Sequence, residues 1–452
     1  MASTNLQRTY ADGGNHQIGT HSFWLKRSRI STDDEMILRM TNGSHYFQFK
    51  FDSSDILNIQ DYQGSFIMYM RLSKEFRDVN AWYHIVIRID TTQATEADRV
   101  RVYVNGELQT AFEQVYNGSS WVNTIYPSQN ANLYLGEQQT FYIGSTSSAN
   151  YYDGLMSHFH YCDGYSYDAS SFGSTDATTG IWKINTSPSV SYGTNGFFIL
   201  KDGNGVTDQS GQSNDWAVGG GTLSATKDCP SNVYATTNPL VQLDLGNGTF
   251  SATNGNNKFT TNYTSKSLAG YSTLGATKGK YYAECKYISG NHAIFGVVRE
   301  DFMQTGSSFA ISNADWGIEK GTTAYYGGSS NGSWHGDWSP NDILGCALDL
   351  DTGTGRVTFS KNGQWCDGSG NWDESSPTSW FTLTADKTYF FAAGDNSTST
   401  NAAWEFNFGN GLFGSTAVSS AQNPGTGDTG AIFEYTVPSG FTALSTKGMN
   451  SF

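Results

Sequence analysis

Basic clusters, long apolar runs and long amphipathic helical patterns are all missing from this chain, and cysteine and proline are scarce. Each gap closes off a class of function. The formal net charge of −15, unrelieved by any run of Lys or Arg, excludes nucleic acid as a partner, because duplex phosphates would repel such a surface. No apolar stretch nears the roughly 20 residues that span a bilayer, so membrane insertion is not expected. Residues 1–8, Met-Ala-Ser-Thr-Asn-Leu-Gln-Arg, lack the apolar core of a signal peptide. The expectation is a protein made in a cytoplasm and not exported by the secretory route. The five cysteines, Cys162, Cys229, Cys285, Cys346 and Cys366, are an odd number and stand far apart. A disulfide framework does not fit a chain this large without a signal. Cys162, Cys285 and Cys346 fall inside strand-like runs, where a free thiol acts as a small hydrophobe.

What the chain does hold is glycine, 51 residues of 452, and aromatic residues at 14%. Ser, Thr, Asn and Gly crowd between short apolar runs. Many short strands with such turns give an all-β chain of sandwich or barrel type. Its length suffices for two or three ordinary cores. Seven Asn-X-Ser/Thr sequons, among them Asn117 and Asn396, follow from this composition.

The clearest strand is Tyr83 to Asp90, with Ile85, Ile87 and Ile89 on one face and Arg88 and Asp90 on the other. That is the period of 2 of a pleated strand. Val100, Val102 and Val104 repeat it and run into Asn105-Gly106, the dipeptide that best tolerates the positive φ angles of a tight hairpin turn. The grammar returns in the second half, where Val357 and Phe359 alternate with Thr358 and Ser360 before Asn362-Gly363. Two such hairpins in two halves predict two β domains. Further strands are predicted at 22–27, 45–51, 65–71, 141–144, 152–161, 281–287, 293–298 and 389–393. Residues 113–139 form a long polar loop, of the kind that is usually functional or interacting. Residues 1–13 read as a short N-terminal arm, and the domain boundary falls near Asn238-Pro239.

These residues carry a family pattern. The first half resembles the laminin-G/concanavalin-like lectin fold through Phe23-Trp-Leu-Lys-Arg, Ala81-Trp-Tyr-His, Val102-Tyr-Val-Asn-Gly, Tyr142-Ile-Gly, Tyr152-Asp-Gly and Asp208-Gln-Ser-Gly. The second resembles the SPRY domain through Gly279-Lys-Tyr-Tyr-Ala-Glu, Asp342-Ile-Leu-Gly-Cys-Ala-Leu-Asp, Phe359-Ser-Lys-Asn-Gly, Asn407-Phe-Gly and Pro438-Ser-Gly-Phe-Thr-Ala-Leu. The implied architecture is two tandem antiparallel β-sandwiches, a concanavalin-like jelly roll over 14–237 and a SPRY-type sandwich over 238–452. The tandem is similar to a group of virion proteins of tailed bacteriophages, especially marine ones. Asp90-Thr-Thr-Gln-Ala-Thr, Tyr126-Pro-Ser-Gln-Asn-Ala-Asn and Tyr192-Gly-Thr-Asn-Gly-Phe are phrases typical of that group.

Several constellations invite a function. Retaining glucanases of the concanavalin-like fold carry Glu-X-Asp-X-(X)-Glu on a strand, which sets carboxylates on one face about 5 Å apart. Here Glu96-Ala-Asp98 lies at a loop edge, with Val100 and Arg101 in place of the third acid. Gly328-Ser-Ser-Asn-Gly332 fits Gly-X-Ser-X-Gly, but no helical pattern follows it, as a nucleophile elbow requires. His158, His160 and Cys162 alternate along one strand with the spacing of metal ligands, though an ordinary strand explains them better. Asp202, Asn204 and Asp208 have a loose calcium-loop spacing without the acidic end of an EF-hand. No cofactor is expected, calcium being the one candidate.

The best candidate surface is the stretch from Trp316 to Trp338, with Trp316, Tyr325, Tyr326, Trp334 and Trp338 among glycines. Flat rings stack on sugars or anchor protein interfaces. The competing role for Trp316 and Trp338 is core. The resulting expectation is a non-enzymatic phage virion protein, a tail-fibre or particle-appendage adhesin that contacts host-surface glycan or protein. The alternatives are an architectural capsid or tail decoration protein that binds only other virion subunits, and a glycan hydrolase. The appendage reading also implies a homo-oligomer, with trimers common among phage fibres.

Overall fold

The computed structural model describes residues 3–11, 13–30, 33–201, 205–240, 249–262, 268–301, 315–326, 329–395 and 401–452. The chain is all-β and divides into two units, Met1–Ala225 and Thr226–Phe452. No helix among the described residues is long and apolar enough to cross a membrane.

Two antiparallel sheets build the first unit. One runs in the order Ala217–Gly220, Asn5–Thr9, Thr140–Ile143, Glu35–Thr41, His45–Phe51, Ile56–Gln63, Phe66–Glu75. The other runs Phe197–Ile199, Gly154–Asp163, Ile18–Arg27, Tyr83–Asp90, Val100–Val104, Glu107–Leu108. Alternation decides what each strand buries. Phe23, Ile85, Ile87, Ile89, Val100, Val102 and Val104 enter one core with Phe47, Phe49 and Phe51 of the facing sheet, and Phe23 stacks 6.3 Å from Phe49. Asn105 at φ 49° and Gly106 at φ 81° make the expected hairpin turn. A Cβ at Gly106 would also sit 2.4 Å from the Trp182 ring.

The face of this second sheet that was expected to be polar is covered as well. Val86, Tyr103, Cys162 and Phe198 pack beneath Ala169, Phe172 and Tyr192. His84 lies between Trp24 and Trp182, at 4.7 and 5.9 Å, and accepts a 2.9 Å bond from the Trp182 indole at Nδ1.

The expected N-terminal arm is a strand. Asn5–Thr9 pairs with Thr140–Ile143 on one side and Ala217–Gly220 on the other. Leu6 and Tyr10 are buried in the core, Tyr10 stacking 3.9 Å from Phe141. Five residues with one apolar side chain, Leu6, fall short of a readable strand pattern, yet they fill an internal slot in the sheet. The boundary also shifts. Tyr234 and Ala235 are buried among second-unit residues, and the Ala235 amide bonds to the Leu444 carbonyl at 3.0 Å. Residues 226–237 therefore belong to the second unit rather than the first.

The second unit is again built on two main sheets, antiparallel except where Thr442–Ala443 runs parallel to Tyr281 and Tyr282. One sheet follows the order Thr249–Thr253, Lys258–Asn262, Ala403–Asn407, Lys280–Ser289, Ile343–Asp349, Arg356–Lys361, Gln364–Cys366, Trp372–Glu374. The other follows Leu268–Tyr271, Tyr389–Asp395, Ala293–Arg299, Asp315–Glu319, Thr323–Tyr326, Ser329–Ser333. Phe295 meets Phe359 and Phe406 across the sandwich, both at 6.1 Å. Asn362 at φ 49° and Gly363 at φ 81° repeat the hairpin turn of the first unit.

Candidate functional site

The aromatic stretch of the second unit is mostly core. Trp316 and Ile318 share the inward face of their strand, and Trp316 lies 6.0 Å from Tyr389. Trp334 packs 4.1 Å from Phe381. Trp338 is 1% exposed and stacks 5.3 Å from His335. Tyr325 is half-buried, while Tyr326 is exposed and stacks on Phe381 at 5.5 Å. The three indoles are therefore unavailable to a ligand, because strand alternation and the turn before Ile343 place them between the sheets. The five residues do not converge on one surface.

The end of that stretch, Gly336-Asp337, instead walls an open groove of ≈580 Å³. Lys361, Asn362 and Gln364 come from the Asn-Gly hairpin, and Gly370, Asn371, Trp372 and Asp373 from the next one. The half-buried Trp372 ties the two sides together, its indole N–H donating to the Gly336 carbonyl at 2.7 Å. The Lys361 ammonium donates to the Asp337 carbonyl at 2.9 Å and stands 5.9 Å over the Trp372 ring.

Local hydrogen bonds brace each wall. Asp337 accepts from Lys320 at 2.6 and 2.7 Å and from the Gly321 amide at 2.8 Å. Burial opposes its charge, but the Lys320 ammonium and the Gly321 and Trp338 amides outweigh it and hold the carboxyl below its usual range. Asp367 accepts from the Ser369 and Asn371 amides and from the Asn371 side chain. Asn362 donates to Asp342 at 2.7 Å and accepts from the Ile343 amide at 2.9 Å. Gln364 and Asp373 are exposed. Behind Trp372, the buried His335 faces the Gly336 and Thr323 carbonyls with its two nitrogens. Only a charged ring could donate to both, yet burial prevails and lowers its pKa.

The groove is thus a stiff, shallow surface of amides, carboxylates and one ammonium around an indole. Such a surface can hold a polar, ring-shaped ligand by hydrogen bonds and apolar contact. Sequence reasoning missed Lys361, Gln364, Asn371 and Trp372. The available signal was Gly368-Ser-Gly-Asn-Trp-Asp373, an aromatic set in a glycine-rich turn just past the second Asn-Gly.

The other constellations fare differently. Glu96–Arg99 forms a single helical turn, so Glu96 and Asp98 do not share a strand face, and Asp98 pairs with Arg101 at 2.6 Å. Ser329–Ser333 is an exposed edge strand rather than an elbow, and Gly328 lies outside the described residues. His158 and His160 both pack on Phe198, at 5.6 and 3.8 Å. Burial drives His160 well below its ordinary pKa, and Cys162 is fully buried. Asp202 and Asn204 lie outside the described residues. Asp208 accepts from the Phe198, Ser210 and Asn214 amides and organises its own loop. Among the described residues no three His, Cys, Asp or Glu side chains are grouped to hold a metal ion.

Residues 5–164 match a laminin-G family model described as the concanavalin A-like lectin/glucanases superfamily. The match begins in the Asn5–Thr9 strand and so includes most of the segment read as an arm. No curated protein matches the chain. Among solved structures, the chain is similar to the SPRY domain of human HERC1, at 14% identity and TM-score 0.28 over 38% of this chain and 96% of that one. It is similar to the TRIM65 PSpry domain at 13% identity and TM-score 0.28, over 38% and 91% of the two chains. A human SPRY domain gives 14% identity and TM-score 0.25, over 33% and 90%.

Proposed function

We propose that this chain is a non-enzymatic virion protein of a tailed bacteriophage, a tail-fibre or particle-appendage adhesin whose second unit holds a host-surface glycan in the Trp372 groove. The observation that supports binding is the groove itself, which the exposed Gln364, Asn371 and Asp373 and the half-buried Trp372 line from two braced hairpins. The phage assignment rests on the phrases from Asp90, Tyr126 and Tyr192 together with the tandem order. The helical turn at Glu96–Arg99 weighs against a glucanase, since the paired carboxylates of that chemistry need one strand face.

Glycan-array binding by the purified chain tests the adhesin reading. Trp372→Ala should weaken it at least tenfold, and unchanged binding would remove the groove from consideration. A virion reconstruction with Gly336, Asp337 and Trp372 buried against other subunits would make this a decoration protein instead. Reducing-sugar release from host polysaccharide would restore the hydrolase. An appendage protein should also be a closed homo-oligomer, a trimer on this reading. Light scattering that returns a monomeric mass at high concentration would count against it.

A further inference from the structure

We infer that the first unit carries a second, separate site, an aromatic clamp at Tyr116 and Trp121 that binds a neutral glycan. The pair sits on a small hairpin, Val115–Tyr116 against Trp121–Val122, with Tyr116 directly opposite Trp121. Alternation sends Val115 inward, where it is 1% exposed, and turns both rings outward. Trp121 is 66% exposed and Tyr116 47%. An indole so exposed forfeits the burial that Trp usually finds in a fold. The ring centroids lie 5.8 Å apart at 59°, so the two rings touch and form one bent aromatic surface.

The clamp is stiff before any ligand arrives. At its tip, the Asn117 carbonyl oxygen of the side chain accepts from the Ser119 amide, the Ser119 hydroxyl and the Ser120 amide, all within 3.0 Å. Gly118 at φ 100° closes the turn. At its base, both stems are pinned to the strand Phe66–Glu75. Tyr69 and Ile125 exchange two 2.9 Å backbone bonds, and the Glu113 amide donates to the Arg71 carbonyl at 2.8 Å. A backbone fixed in this way lowers the ordering cost of binding.

The surroundings choose the ligand. The rings are flanked by the exposed side chains of Asn117, Ser119, Ser120 and Asn123, which offer amide and hydroxyl partners. From 109 to 136 the sequence has one charged residue, Glu113, and no Lys or Arg. Arg71, at the hairpin's base, is paired with Asp52 at 2.7 Å, and an anionic glycan would meet a chain of net charge −15. A protein partner would want a continuous apolar patch, and two isolated rings among polar side chains do not provide one. A pyranose presents an apolar C–H face to a ring and hydroxyls to its rim, which is the complement of this surface.

The full chain can be tested by N-bromosuccinimide oxidation, with the Trp121 peptide read by mass spectrometry. Glucose, mannose and N-acetylglucosamine hexasaccharides would be offered as ligands. At least one should slow Trp121 oxidation severalfold, and calorimetric affinity for it should fall at least tenfold in Trp121→Ala and less in Trp121→Phe. Because the readout is Trp121 itself, the result is independent of the Trp372 groove. Protection by oligolysine in place of any saccharide, no protection at all, or unchanged affinity in Trp121→Ala would each overturn the proposal.

Discussion

His21 shows what a single buried side chain does to the molecule. Its ring stacks 4.5 Å from Tyr161 and meets Phe49 edge-on at 5.0 Å. Neither nitrogen has a hydrogen bond among the described residues. Burial lowers its pKa to about 3, whereas an unfolded imidazole titrates near 6.5. Between those values the unfolded chain binds a proton that the folded chain refuses. The stability His21 allows above pH ~6.5 is therefore lost as pH falls toward the folded pKa, at about 1.4 kcal/mol per pH unit. His21→Phe should gain about 1 kcal/mol at neutral pH by removing two orphaned nitrogens, and more at pH 5. Urea melts of both proteins at pH 7 and pH 5 check this, and an equal gap at the two values would refute it.

Arg27 presents the opposite case, a buried charge that is fully answered. Its guanidinium bonds Glu35 at 2.8 Å, Asp55 at 2.7 Å and the Phe76 carbonyl at 2.9 Å, over the face of Phe51. Glu35 and Asp55 are themselves buried. Arg27→Met removes the cation shared by two buried carboxylates, leaving Glu35 to Arg29 at 2.9 Å and Asp55 to Arg77 at 3.1 Å, and should cost about 3–5 kcal/mol. Arg27→Lys should cost less, because it keeps the charge but not the fork. Chemical denaturation ranks the two.

At the scale of elements, Asn5–Thr9 carries more than its sequence suggests. Deleting residues 1–13 strips Leu6 and Tyr10 from the core and leaves the facing edges of Thr140–Ile143 and Ala217–Gly220 unpaired. The expected outcome is loss of first-unit tertiary structure by near-ultraviolet circular dichroism. A truncated chain with wild-type melting would show that the strand is dispensable. The Asn-Gly hairpins were legible because alternation and turn chemistry agree over eight or more residues. Asn5–Thr9 was not, since five residues with one inward Leu carry too little pattern, and only pairing with strands far along the chain defines it.

The aromatic stretch failed for a different reason. An indole suits a core or a binding surface equally well, so composition could not decide between them. Alternation could have helped with Trp316, which shares its face with Ile318. Trp372 escaped notice because its role depends on a hydrogen bond to Gly336, 36 residues away. The covered outer face near His84 was hidden likewise. It needs Trp182, which is 98 residues distant.

For the whole molecule, the separate cores carry the remaining prediction. The first holds Phe23, Phe49, Ile87 and Phe159; the second holds Phe295, Phe359, Trp404 and Phe406. Each is large enough to melt cooperatively on its own. Calorimetry should therefore resolve two transitions, assignable by substitution. Arg27→Met should lower one and leave the other in place. Trp404→Ala should do the reverse, since it removes a fully buried indole that meets Tyr287 at 5.3 Å, a change worth about 3–5 kcal/mol. Acid adds a second signature. Glu284, buried and bonded to the Glu434 and Tyr435 amides, has a pKa raised by burial to about 7. Its contribution is full below the unfolded value near 4.3 and is lost as pH rises through 7, opposite in sign to that of His21. Glu284→Gln should therefore flatten the pH dependence of the second transition between about 4.3 and 7 and leave the first unmoved. A single transition that shifts as one body in all three variants would mean that the two cores unfold as one cooperative unit.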